Sequence, residues 1–189
     1  MNREFRILPS GVLLTVVVLL CAAFPAVLKA QVAAEHSAAV IKPPFGVYWG
    51  LSADRLQKTI EETKAKVVET REVNGRKGLV VEGLVYPGLQ RAIFYFVDDG
   101  LCEVELQYGQ TNLDATGYST YFDSMRRSLE RKYGTGRLVT RSKKRDGETL
   151  MTIIGYQWTQ AGCGLQVFYF SAERGADAYY LVSLHYRGA

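Results

Sequence analysis

The chain has 189 residues, 48% of them hydrophobic and 22% charged, with a formal net charge of +4. With residues 1–30 set aside the net charge falls to +2, a balance that by itself implies no partner. The remaining ~150 residues suffice for one domain that buries about 70% of its unfolded surface, which excludes any need for a structural metal or disulfide.

The N-terminus is read as a targeting segment. Arg3 and Arg6 form a basic start, an apolar run extends from Gly11 to Phe24, and Ala30 supplies a small residue for cleavage. This is the pattern of a secretory signal peptide over residues 1–30. Leu20 before Cys21 is not the small residue that lipidation needs, and Gly11–Leu28 is short for an uncleaved anchor. Residues 31–44, small and polar and ending in Pro43-Pro44, read as a flexible lead-in.

Ser52 is an N-cap for an amphipathic helix reaching about Ala65, with Leu56 and Ile60 on its apolar side. Strands follow: 67–73 to the Asn74-Gly75 hairpin turn, 79–86, 91–97 to Asp98-Asp99-Gly100, and 101–108. In the last of these, Cys102, Val104, Leu106 and Tyr108 are expected on the packed face, and Glu103, Glu105 and Gln107 on the wet one. A turn-rich link, 109–117, leads to a second helix with an apolar stripe of Tyr118, Phe122, Met125, Leu129 and Tyr133, closed by Gly134. Four more strands are expected near 137–142, 150–158, 163–171 and 178–186.

Residues 88–108 and 164–186 share Gly-Leu-Gln, then Phe-Tyr-Phe, then Val-x-Leu-x-Tyr. This reads as an internal duplication. The fold expected is α+β: a tandem repeat of one helix plus a four-stranded antiparallel meander, with the helices packed on one face of a joined sheet. The two repeats would occupy about 45–109 and 116–189 of a single domain, 45–189.

Catalytic signatures are missing. There is no GxSxG or HExxH, and Gly134-Thr135-Gly136-Arg137 lacks the Lys-Ser/Thr ending of a phosphate loop. His185, on a strand face opposite Val182 and Leu184, reads as a surface residue, and no metal ligands are spaced as a set. No cofactor is expected. Cys102 and Cys163 are an even pair in an oxidising compartment and are disulfide candidates; two buried free thiols are the other arrangement.

Both faces of the Phe-Tyr-Phe strands are apolar. Tyr95, Tyr169, Ile93 and Val167, opposite the phenylalanines, are the candidates for a face that meets a partner. Residues 126–145 carry nine basic residues against Glu130, and Arg126, Arg131, Lys143 and Lys144 are candidates for attraction to an anionic surface. That run lacks interleaved stacking aromatics, so no nucleic-acid partner is expected.

Tandem helix-plus-four-strand units in a small exported chain resemble the β-lactamase inhibitory protein fold and, more distantly, the small lipoprotein subunit of the outer-membrane barrel assembly machinery. Trp49-Gly50-Leu51-Ser52 and Lys132-Tyr133-Gly134-Thr135-Gly136 are loosely similar to the unit openings and helix ends of that class. The resemblance covers about residues 45–187 and implies binding of protein on a concave sheet face or its loops; no binding residue carries over. The function expected is therefore a non-catalytic periplasmic or secreted protein-binding or envelope scaffolding module. Its partner would be another envelope or secreted protein, or an anionic lipid surface. A carrier of a small apolar ligand or lipid is the alternative, and a hydrolase using Glu103 and Glu105 stands behind it. The sequence does not set the oligomeric state.

Overall fold

Among the described residues, eight segments of seven to twelve residues form strands. The protein, seen as a computed structural model, is described for residues 39–109 and 113–188. The expected signal segment, Cys21, the first part of the lead-in and residues 110–112 lie outside the described residues. Helix α1 is Ala53–Glu61, followed by β1 Lys66–Val73, β2 Arg76–Glu82, β3 Leu89–Val97 and β4 Gly100–Tyr108. Helix α2 is Ala115–Tyr133, followed by β5 Arg137–Asp146, β6 Thr149–Gln160, β7 Cys163–Arg174 and β8 Asp177–Arg187. Among the described residues no helix is long and apolar enough to cross a membrane.

The strands form one antiparallel sheet in the order β1-β2-β3-β4-β8-β7-β6-β5. This corrects the expected fold class. The protein is not an α+β tandem repeat of one helix plus a four-stranded meander; it is dominated by a single eight-stranded sheet, with 54% of the described residues in strand against 19% in helix. The two helices are minor additions to a continuous hydrogen-bond ladder: β4 pairs with β8 from Glu103↔Arg187 to Tyr108↔Val182, so all eight strands share backbone bonds and one core. The two parts are also unequal: α1 has 9 residues and α2 has 19, and the strands lengthen from 7–9 residues in β1–β4 to 10–12 in β5–β8.

Local chemistry accounts for the element ends. Ser52 is extended and its Oγ accepts from Arg55 N, capping α1. Thr63 Oγ1 donates to the Ile60 carbonyl at 2.7 Å, and α1 stops at Glu61, short of the expected Ala65. Asp114 caps α2 by accepting from Gly117 N at 2.8 Å, and Gly134 N returns to the Glu130 carbonyl. Asn74 and Gly75, both at positive φ, close the β1–β2 hairpin with the twist its strands require.

One core lies between the sheet and its helices. Leu56 and Ile60 of α1 and Tyr118, Phe122 and Leu129 of α2 pack with Leu79, Val81, Phe94, Phe96, Val104, Leu106, Leu165, Val167 and Val182. The lead-in belongs to this core too. Ile41 is buried, its N–H donates to Gln160 Oε1 at 3.2 Å, and Ala39 N donates to the Lys132 carbonyl. Residues 39–44 are thus tied down where a flexible segment was expected, because Ile41 has apolar surface to bury beside β6.

Candidate functional site

The other face of the sheet carries the polar chemistry, and a β-bulge builds it. Tyr95 pairs with Glu103 and Phe96 with Leu101, which leaves Cys102 as the extra residue of β4. Strict alternation would place Cys102 in the core with Val104. The bulge gives that place to Leu101 and turns Cys102 to the opposite face, where its Sγ donates to the Tyr95 carbonyl at 3.3 Å. Cys163 packs against the main core on the helix side. β8 runs between β4 and β7, so roughly two strand spacings, ~10 Å, and the sheet itself separate the two thiols. Both cysteines are free. The expected bridge is not made.

Pairing of β4 with β8 sets Glu103 beside Arg187 and Glu105 beside His185. Glu103, with a side chain 5% exposed, sits at the centre of a network. Its Oε2 accepts from Arg76 Nη1 at 2.6 Å and forms an ion pair with Arg187 Nε at 3.2 Å, and its Oε1 accepts from His185 Nδ1 at 3.0 Å. Burial alone would raise the Glu103 carboxyl, but hydrogen bonds from His185 and Arg76 and the charge of Arg187 prevail and hold it at about 2. An ionised carboxylate only accepts, so Nδ1 of His185 carries the proton. In the neutral ring, Nε2 is then left to accept from Ser183 Oγ, 3.1 Å away. Glu105 takes no part; it accepts from Tyr95 Oη at 3.0 Å and Gln107 Nε2 at 2.6 Å.

Carboxylate, imidazole and hydroxyl in this order is the arrangement that activates a serine nucleophile. The surroundings here give it a different use. Ser183 is buried in the middle of β8, whose backbone is paired on both sides with β4 and β7. Backbone donors spent in two ladders cannot stabilise an oxyanion. Glu103 stays ionised at ordinary pH and has no proton to give as a general acid. The arrangement locks β4 to β8 and to Arg76 of β2. His185, expected as a surface residue, is 17% exposed at the side chain and belongs to this lock. Among the described residues no three His, Cys, Asp or Glu side chains are grouped to hold a metal.

The four partner-face candidates do not share a surface. Ile93 and Tyr95, 0% and 6% exposed, form a small cluster with Val80 on the helix-free face, with the Arg76 guanidinium 4.8 Å over the Tyr95 ring. Val167 and Tyr169, 0% and 8% exposed, lie on the opposite side in the main core, Tyr169 against Phe122. The two Phe-Tyr-Phe triplets therefore face opposite ways: Phe94 and Phe96 are core, while Phe168 and Phe170 point to the helix-free side.

Phe168 and Phe170 stand within a contiguous apolar area that the candidates missed. Paired residues share a face, so the ladders line up Ile153, Phe170 and Leu181 in one row and Met151, Ala172 and Tyr179 in the next. These side chains are half-buried to exposed, Tyr179 being 51% exposed. Phe170 and Tyr179 are 6.1 Å apart, and Phe168 meets His185 edge-on at 5.4 Å. Gly155 makes the seat, since a Cβ there would collide with the Phe168 ring. The signal was present in the alternation of β6–β8, read from the residues opposite Tyr156, Val167 and Val182.

Of the anionic-surface candidates, Arg126 is engaged: its Nη1 donates to Glu130 at 2.7 Å and its guanidinium lies 5.1 Å over the Tyr156 ring. Arg131 is exposed near the end of α2. Lys143 and Lys144 are exposed on the edge strand β5, on alternate faces, Lys144 opposite Met151 on the apolar side. Basic side chains also discourage edge-to-edge pairing of such a strand.

Fold and site together define a class: a single-sheet protein with one face closed by two helices and an N-terminal segment, and one face carrying a polar lock beside an apolar area. No family model matches the chain, and neither curated proteins nor solved structures include a match.

Proposed function

We propose that the protein is a non-catalytic, exported protein-binding module that docks a partner protein on the helix-free face of β6–β8. The observation that carries this reading is the contiguous area formed by Met151, Ile153, Phe168, Phe170, Tyr179 and Leu181 on the face opposite the core. Exposed apolar areas rimmed by polar groups mark protein-interaction surfaces, and aromatic residues are favoured at their centres. The exposed Lys144 on β5, opposite Met151, borders it and favours a partner with an acidic flank. Export rests on the pattern of residues 1–30.

The test is a double variant, Phe170→Asp with Leu181→Asp, compared with the unchanged protein for complex formation in its native envelope or culture fraction. Placing two charges in the centre is expected to weaken partner binding roughly 100-fold or more. Replacing Lys143 and Lys144 by Gln is expected to slow association and reduce its salt dependence while the complex still forms. Undiminished binding by the folded double variant contradicts the reading.

A further inference from the structure

Five tyrosines converge on one cavity of about 290 Å³ on the helix side of the sheet: Tyr86 from the β2–β3 loop, Tyr108 of β4, Tyr121 and Tyr133 of α2, and Tyr186 of β8. From these we infer a small-ligand site for a neutral, oxygen-bearing single ring, a site independent of the docking face.

The phenols make it a site and not simply packing. Tyr108 is 1% exposed, yet among the described residues its hydroxyl has no hydrogen-bond partner, and neither do those of the other four. The sealed, unpaired side-chain polar atoms among these residues are Trp49 Nε1 and Arg71 Nε, so the Tyr108 hydroxyl is not sealed and opens onto the cavity. Buried polar groups normally find partners, and five phenols lining one space can provide donors and acceptors for an occupant. Burial pushes the Tyr108, Tyr121 and Tyr186 hydroxyls up, so they keep their protons at ordinary pH.

Size, shape and charge select the ligand class. The volume is at the small end of ligand pockets, which run from about 300 Å³ upward, and suits one ring. Tyr108 is flanked by Tyr86 and Tyr121 with ring centroids 6.3 and 6.2 Å away, offering flat faces to a flat occupant. Lys132 is the charged residue of the lining; it is exposed, and its ammonium rests 4.9 Å over the Tyr133 ring. Among the described lining residues none but the exposed Lys132 is charged, so no buried charge compensates a charged ligand for lost water, and a neutral one needs no such compensation. A phenol-type ring and a monosaccharide ring both present this chemistry.

The experiment titrates the purified protein, followed by NMR, with 4-methylphenol and separately with methyl glucoside, and with benzoate as the charged control. Saturable binding of one neutral probe is expected, with Kd on the order of 1 mM, and the probe that saturates identifies the source. Benzoate is expected to bind at least fivefold more weakly. Tyr108→Phe combined with Tyr186→Phe should weaken the favoured probe at least fivefold while the thermal midpoint is retained. Ser128→Trp, at an exposed position of the lining, should block entry should the double variant fold poorly. Phe170→Asp/Leu181→Asp should leave probe binding intact. The inference is overturned if neither neutral probe saturates, if benzoate binds as well, or if the folded variants bind the favoured probe unchanged.

Discussion

Glu103→Gln is expected to destabilise the protein by roughly 3 kcal/mol at neutral pH, a shift of about 10 °C in the thermal midpoint. Gln keeps the shape and removes the charge that Arg76, His185 and Arg187 share. The direction with pH follows from the depressed carboxyl. Its value moves from 4.5 to about 2 on folding, so the stabilisation is complete above pH 4.5 and is lost as pH falls from there toward 2. Denaturant titrations of both proteins at pH 7, 4 and 2.5 should therefore show a gap that closes with acid. Equal stability at pH 7, or a gap that does not change with pH, would show that the charge is not what locks β4 to β8.

The second large effect separates two residues that the internal sequence match makes equivalent. Phe96 and Phe170 end the two Phe-Tyr-Phe triplets. Phe96 is 2% exposed in the main core, whereas Phe170 is partly exposed on the docking face beside Tyr179. Phe96→Ala leaves a cavity among packed strands and is expected to cost about 3–5 kcal/mol. Phe170→Ala removes a side chain that is already partly exposed and is expected to cost about 1 kcal/mol. Urea unfolding of the two variants decides the matter, and similar costs would mean that both triplets pack alike.

This contrast marks where sequence stops describing structure. Local signals were legible because their chemistry is local: the Ser52 cap, the Asn74-Gly75 turn, and the stripe from Tyr118 to Tyr133 with its closing Gly134. Facing is another matter. One extra residue at Cys102 gives its expected core place to Leu101 while Val104, Leu106 and Tyr108 keep theirs, and nothing in the run Leu-Cys-Glu-Val announces a bulge. The same step turns Cys102 away from Cys163, whereas Glu103 keeps its expected face and is buried there by Arg76, His185 and Arg187. That lock depends on β4 meeting β8, which brings His185 to Glu103 across 82 positions of chain. The partner-face candidates divide between the two faces for a related reason: matching the two triplets by sequence assumed a common facing, and Val167 and Tyr169 lie in the main core while Ile93 and Tyr95 do not. The docking area lay on the alternate residues of the same strands.

The central claim, that the helix-free face of β6–β8 meets a partner protein, is tested most directly by site-specific photo-crosslinking in the producing cell. A photoreactive phenylalanine analogue is placed in turn at Ile153 and Tyr179 on that face, and at the exposed Gln57 of α1 on the other side. The account predicts one discrete protein adduct from Ile153 and Tyr179, lost when Leu181→Asp is added, and no adduct from Gln57; an adduct of twice the chain mass would identify a second copy as the partner. Crosslinking from Gln57 alone, or none from the helix-free face, would contradict it.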